Sequence, residues 1–250
     1  MKYPEDFINK VICGGCLEVM KSIPDKSIDM ILCDLPYGIT ACKWDTIIPF
    51  EPLWEQYKRV IKDNGAIVLT ASQPFTSALV MSNVKMFKYE WIWSKRVGSG
   101  FLNANRMPLK SHENILIFYK KQPIYNKQKW IGKPNHAHGN PKTTKNNLYG
   151  DYDIVDNYDK ENTLKNPLSV IEIDKIHPSV IKHPTQKPVA LFEYLIKTYT
   201  SEGDLVLDNC AGSGTTAVAC KNLGRKFIGI EISPEYCKIA EDRLKQEVLF

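Results

Sequence analysis

The chain has 250 residues, 43% of them hydrophobic, and a formal net charge of +5. That length and composition suit one large soluble domain, or one domain carrying an inserted lobe. They exclude a membrane-spanning class, because no run approaches the roughly 18–20 apolar residues a span requires. The opening MKYPEDFINK lacks the apolar stretch of a secretory signal, so a cytoplasmic location is expected.

Charge is unevenly placed. Residues 121–150 hold six lysines and no acid, whereas 151–174 hold seven acids and two lysines. The first block suits phosphates and the second does not. The seven cysteines are scattered through apolar surroundings, which suits reduced thiols filling the core. Cys13 and Cys16 form a lone CxxC, and His136 and His138 an HxH. Neither has partners at zinc spacing, so no metal is expected.

In chain order, CLEVMKSIP reads as a short helix and SIDMILCD as a buried strand ending at Asp34. PLWEQYKRVIKDNG has helical amphipathic spacing and is expected to stop at Gly65. AIVLTA is a strand, QPFTSALVMSN a helix, and YEWIWSK and NILIFYK two further strands. RVGSGFLNANRMPLKSHE, between those two, reads as a surface loop. From Lys120 to about Lys182 periodicity fades, which indicates an inserted lobe or functional loops. PVALFEYLIKTYT (helix), DLVLDN (strand), GSGTTAVACKNLG (turn and helix), KFIGIE (strand) and SPEYCKIAEDRLKQ (helix, Ser233 as N-cap) complete the chain. The alternation predicts an α/β sheet with helices on its faces.

Two motifs carry chemistry. DNCAGSGTTA follows a strand and opens a helix. Its glycines allow close backbone approach to a ligand, and the helix start offers free N–H groups. Glu231 ends the next strand, 17 residues after Gly214, where a carboxylate accepts hydrogen bonds from ribose hydroxyls. A dinucleotide needs two mononucleotide halves running on from the turn, but only 36 residues follow Gly214. The missing strands come earlier and carry DLPYG instead. With the Asp34 strand in the same parallel sheet, the Asp34 carboxylate and Leu35 carbonyl form two acceptors for an exocyclic –NH2. Pro36 fixes the turn, and Tyr37 forms a wall for a planar base turned out of its stack. Alone, each motif also reads as an ordinary structural turn.

These blocks resemble the permuted, beta-class amino DNA methyltransferases, which use S-adenosylmethionine to form N6-methyladenine or N4-methylcytosine. DLPYG is similar to the D-P-P-Y catalytic motif and DNCAGSGTTAVAC to the D-P-F-x-G-S-G-T-T cofactor loop. SHENILIFYK, HPTQKPVALFEYLI and GRKFIGIEISPEYCKIAEDRL match further family blocks in the family's order. The resemblance covers nearly the whole chain except about 121–180. It implies a doubly wound, mostly parallel seven-stranded Rossmann-like methyltransferase sheet with an inserted target-recognition region. The halves would be 1–120 (catalytic) and 183–250 (cofactor-binding), with the insert at 121–182.

The resemblance also implies roles. Asp34, Leu35, Pro36 and Tyr37 hold the target base. Asp208, Cys210, Gly212, Ser213, Gly214 and Thr215 surround the methionine end of the cofactor, and Glu231 takes its ribose. His183, Thr185, Gln186 and Lys187 close over its amino-acid moiety. An aspartate opening the catalytic motif favours adenine. Leu35 stands where the family usually has proline, and Gly15 where relatives often carry an aspartate that helps hold the cofactor's adenine. DNA is the implied substrate, and a homodimer is an assembly common among relatives. Arg106, Lys110, Lys127, Lys129 and Trp130 are the candidate DNA contacts, mixing cations with an aromatic. An N4-cytosine enzyme, a binding module without catalysis and a nicotinamide-dependent oxidoreductase stay open as alternatives.

Overall fold

Alternating apolar runs pair into one central sheet in the computed structural model, which describes residues 1–40, 42, 45–133, 145–146, 150–151, 163–177 and 185–245. Its strands are β1 (Lys10–Cys13), β2 (Ile28–Asp34), β3 (Ile61–Ala71), β4 (Phe87–Ser99), β5 (Lys110–Phe118), β10 (Val170–Glu172), β11 (Leu205–Asp208) and β12 (Lys226–Glu231). The pairs β6 (Trp130–Ile131) with β9 (Leu164–Lys165), and β7 (Lys145–Asn146) with β8 (Gly150–Asp151), are two-stranded and separate. The helices are α1 (Cys16–Met20), α2 (Phe50–Val60), α3 (Phe75–Ser82), α4 (Val189–Tyr199), α5 (Thr215–Asn222) and α6 (Pro234–Lys245).

The sheet order is β1-β12-β11-β2-β3-β5-β4-β10. All neighbours are parallel except the two pairs that β5 makes with β3 and β4. Seven strands make the expected doubly wound sheet, and the short β10 adds an eighth at the edge. β10 and β1 are too brief to show a period of their own, so sequence patterning passed over both. Two compact units divide the chain: Met1–Asn126 with Ser169–Phe250, and Lys127–Leu168. In the second unit, Trp130 donates its indole N–H to the Asn166 carbonyl at 3.1 Å.

β2 shows why the sheet is buried on both faces. Its alternate residues Ile31 and Cys33 join one core, with Leu53, Tyr57 and Leu79 from α2 and α3. Met30 and Leu32 join the other, with Leu191, Leu195 and Ala219 from α4 and α5. A strand of period two thus serves two layers, and its sequence reads as nearly continuous apolar.

Two boundaries differ from expectation. α2 ends at Val60, five residues before Gly65, because Ile61 turns extended (φ −72°, ψ 139°) and already pairs with Ile28. Residues 62–65 bulge before pairing resumes at Met30 and Ala66, and Lys62 bridges to Asp29 within the bulge. Gly65 is required there: a Cβ would lie 2.7 Å from the Asp29 carbonyl oxygen. Likewise β4 runs to Ser99 and β5 starts at Lys110, so the surface loop shrinks to 100–109, with a 3-10 turn at Phe101–Asn103.

The turn after β11 is built from within. Gly214 (φ 80°) starts α5 in the left-handed region, and a Cβ there would sit 2.8 Å from Cβ of Ala240 in α6. Asp208 is buried and accepts from the Thr216 hydroxyl and, at 3.1 Å, from the Cys210 N–H. Burial is the largest influence on it and raises its carboxyl to about 6, against the hydrogen bonds that favour its charge.

Gly65→Ala should cost about 1–3 kcal/mol through forced backbone movement, seen as a lower urea midpoint at unchanged slope. Because Asp208 binds its proton more tightly when folded, it favours folding fully below about pH 4 and loses that contribution as pH rises through 6. The displacement is worth on the order of 3 kcal/mol. The fall in melting temperature between pH 4.5 and 7.5 (both about, chosen to bracket the titration) should therefore be smaller in Asp208→Asn than in the parent. Equal falls would show that burial leaves this carboxyl unperturbed.

Candidate active site

Strand order fixes the site. β11 pairs with β2 through Val206–Met30 and Leu207–Ile31, so both chains emerge from the same edge of the sheet. From β2 the chain winds toward β3, and from β11 toward β12, which makes this junction the point where the winding reverses. Crevices at such points bind ligands in open α/β sheets. One cavity of about 610 Å³ lies there, within the range that takes cofactors and substrates.

At one end of the cavity stands the glycine cradle. Glu231 is buried, and its two carboxylate oxygens accept from the N–H groups of Gly212 (2.7 Å) and Ser233 (2.9 Å). Ser213 donates to Gln186 Oε1 at 3.3 Å, and Thr185 lines the wall beside them. Arg243 of α6 donates to the Ser213 carbonyl at 2.6 Å and pins the loop from behind. Sequence reasoning did not single out this arginine, which sits at an ordinary polar position of an amphipathic helix.

The Asp34 turn closes the other end. Leu35 is in the core and anchors the turn where a proline was the family's usual residue. Asp45 folds the following loop by accepting from the backbone N–H groups of Gly38 (2.8 Å), Ile39 (3.0 Å) and Thr40 (2.7 Å). Pro36 and Tyr37 line the cavity, and the Tyr37 ring stacks on Phe75 at 5.2 Å between centroids. Tyr37 donates its hydroxyl to Asp34 Oδ1 at 2.7 Å, and the Thr70 hydroxyl, on neighbouring β3, donates to the same oxygen. Burial first, and then the Asp34 charge, push the Tyr37 hydroxyl well above its ordinary value, so it stays a phenol and a donor.

Lys187 belongs to this end as much as to the cradle. Its carbonyl is 3.5 Å from the Thr215 hydroxyl, but its ammonium donates to Asp34 Oδ2 at 2.6 Å and lies 3.3 Å from Glu113 Oε2. Lys95 donates to Glu113 Oε1. Burial opposes the Lys187 charge, yet Asp34 and Glu113 outweigh it and hold the ammonium above its usual value. Burial likewise opposes the Glu113 charge, and Lys187 and Lys95 outweigh it and hold this carboxyl low. Lys187 and Glu113 are therefore both held in their charged forms. Thr70, Lys95 and Glu113 carried no sequence signal of this role, since sheet pairing alone brings Thr70 to Asp34 and sets Glu113 between Lys95 and Lys187.

The cavity wall also holds Cys16 and Cys210. A hydrogen bond with Cys210 lowers the Cys16 thiol to about 7, while hydrogen bonds from Cys16 and Cys33, with burial, push Cys210 well up. Of the candidate DNA contacts, Lys110 lines the cavity and Arg106 is exposed on the 100–109 loop. Lys127, Lys129 and Trp130 are exposed in the second unit. His183, His136 and His138 lie outside the described residues.

Comparison with known proteins bears on the same segments. A family model described as DNA methylase, of N6/N4 type, matches residues 28–242. The chain is 30% identical over 256 residues to the Type II methyltransferase M.HpaI of Haemophilus parainfluenzae, covering 95% of this chain and 74% of that protein. It is 31% identical over 249 residues to the DNA adenine methyltransferase YhdJ of Escherichia coli (strain K12), covering 94% and 82%. Among solved structures, the M1.HpyAVI–SAM complex superposes with a TM-score of 0.62 at 27% identity, over 94% of this chain and 98% of that one. The PvuII DNA methyltransferase (cytosine-N4-specific) shares the fold, with a TM-score of 0.67 at 16% identity over 98% and 91%. The matched segment runs from the strand that ends in Asp34 to the helix that pins the glycine turn, and the chain belongs to the N6/N4 DNA methylase family.

Proposed function

We propose that the protein transfers a methyl group from S-adenosylmethionine to the N6 amine of an adenine turned out of DNA. One observation carries the reading: the Asp34 carboxylate and the glycine cradle open into a single cavity. Adenine is favoured by Asp34 as the first residue of its motif and by the likeness to YhdJ, itself named an adenine methyltransferase. The cytosine-specific neighbour shares the fold at 16% identity, which supports the fold alone.

The cradle suits this cofactor. Each oxygen of Glu231 uses one lone pair on a loop N–H, which leaves one apiece for two ribose hydroxyls. The start of α5 and the hydroxyls of Ser213 and Thr215 suit the carboxylate of an amino acid, with Thr185, Gln186 and Lys187 on the adjoining wall. When bound, S-adenosylmethionine supplies a methyl group made electrophilic by its sulfonium. An adenine amine is a weak nucleophile because its lone pair feeds the ring. By accepting its N–H bonds, Asp34 Oδ2 and the Leu35 carbonyl draw the nitrogen toward sp³ and free that pair. Tyr37 and Thr70 hold Asp34 by Oδ1, so its other oxygen keeps a fixed aim. The same carboxylate accepts the proton that the methylated amine sheds. The thiols take no part.

On the DNA side, Lys110 and Arg106 contact the strand that delivers the base, and Lys127, Lys129 and Trp130 contribute to target recognition through phosphate pairing and stacking. A homodimer belongs to the same proposal and rests on the family resemblance.

Asp34→Ala should lower methyl transfer to plasmid DNA about a hundredfold or more while cofactor affinity by calorimetry stays within about threefold. Retained turnover would remove the mechanism. Digestion of the product to nucleosides should yield N6-methyldeoxyadenosine by mass, and methylcytosine would overturn the adenine reading. At Gly15, the cap of α1, φ is −68° and a Cβ meets nothing within 4 Å. Gly15→Asp should thus fold normally and tighten cofactor binding about two- to tenfold, the worth of one hydrogen bond. Unchanged affinity would show that no cofactor group faces this position.

A further inference from the structure

The acceptor oxygen that the mechanism needs already carries a cation. Asp34 Oδ1 holds two donors, the hydroxyls of Tyr37 and Thr70, which fills it. Oδ2 is then the oxygen left for the amine, and the Lys187 ammonium sits on it at 2.6 Å. An ammonium there draws density from the acceptor and stands beside a nitrogen that must become positive during transfer. Lys187 cannot simply leave for solvent, since its side chain is only 7% exposed. A second seat lies next to it. Glu113 Oε2 is buried, and the same ammonium lies 3.3 Å from it, a longer ion pair than the one it makes with Asp34. The other oxygen of Glu113 is held by Lys95, which fixes the carboxylate. Both carboxylates, both lysines and the cavity wall belong to one cluster.

We propose that Glu113 is a positioning residue: it receives the Lys187 ammonium when the target base enters, which frees Asp34 Oδ2 for the amine. Lys187 neutralises Asp34 while the pocket is empty of base, and the handover keeps the cation paired throughout. Lys95 holds the receiving seat still. No charge enters or leaves the cluster, so the handover adds no further buried charge. The inference rests on the methyl-transfer reading, and it assigns Glu113 a role through Lys187 and not on the base itself.

The test is a double-mutant cycle in steady-state methylation with Glu113→Gln and Lys187→Met. Glu113→Gln should lower kcat about tenfold or more with cofactor affinity unchanged, and should add less than about twofold once Lys187 is gone. An equal loss in both backgrounds, or full activity of Glu113→Gln, would overturn the proposal. Glu113→Asp, which keeps the charge and spares the fold, should lose less than Glu113→Gln, and its loss should also vanish without Lys187. A second readout does not depend on the rates of the Lys187 variant. In protein labelled with 15N-lysine, the Lys187 side-chain nitrogen resonance should move on adding target DNA with S-adenosylhomocysteine. It should stay in place in Glu113→Gln, and a wild-type resonance that does not move would overturn the handover. A parent enzyme that methylates no DNA would instead sink the functional reading on which the inference stands.

Discussion

The pairing of β11 with β2 is the constraint on which the rest depends. It joins segments more than 170 residues apart, from Asp29 to Leu205, whose N–H donates to the Asp29 carboxylate at 3.0 Å. Because the two strands are parallel, their carboxyl ends meet at one edge. Asp34 and the glycine turn therefore face each other with no further device. Everything else at the site refines that meeting: Asp45 shapes one loop, Arg243 and Glu231 shape the other, and Lys187 reaches from a third segment into both.

Buried ion pairs are seldom worth their desolvation for stability alone. On the proposed function, the Asp34–Lys187–Glu113–Lys95 cluster is better understood as a way of holding Asp34 in place in a site that must exclude water. Two lysines face two carboxylates, so the cluster brings no formal net charge into the interior. Tyr37 adds to this in two ways. Its hydroxyl aims Asp34, and its ring, stacked on Phe75 and 5.5 Å from the Lys187 nitrogen, offers an aromatic surface near the carboxylate.

Much of this was legible in the amino-acid order because local physics wrote it there. β2 reads as a strand since both faces are buried, the glycine turn since only glycine takes the φ angles it needs, and Glu231 since it ends a strand beside that turn. What escaped reading depends on distant partners. Helical spacing continues past Val60, but pairing of Ile61 with Ile28 ends the helix there. β1 is four residues long and exists as a strand only against β12. Glu113 and Thr70 look like ordinary strand residues, and Lys187 like part of a cofactor block. Their convergence, Thr70 and Lys187 on Asp34 and Glu113 on Lys187, is a product of sheet order, which no periodicity records.

The most direct test of the shared cavity is a crystal structure of the protein with S-adenosylhomocysteine and an oligonucleotide carrying the methylated site. The cofactor's ribose should lie on Glu231 and the adenine amine within about 3 Å of the Asp34 carboxylate, facing the sulfur across roughly the distance of one methyl transfer. A complex with the cofactor in the glycine cradle and the target base bound away from Asp34 would contradict it.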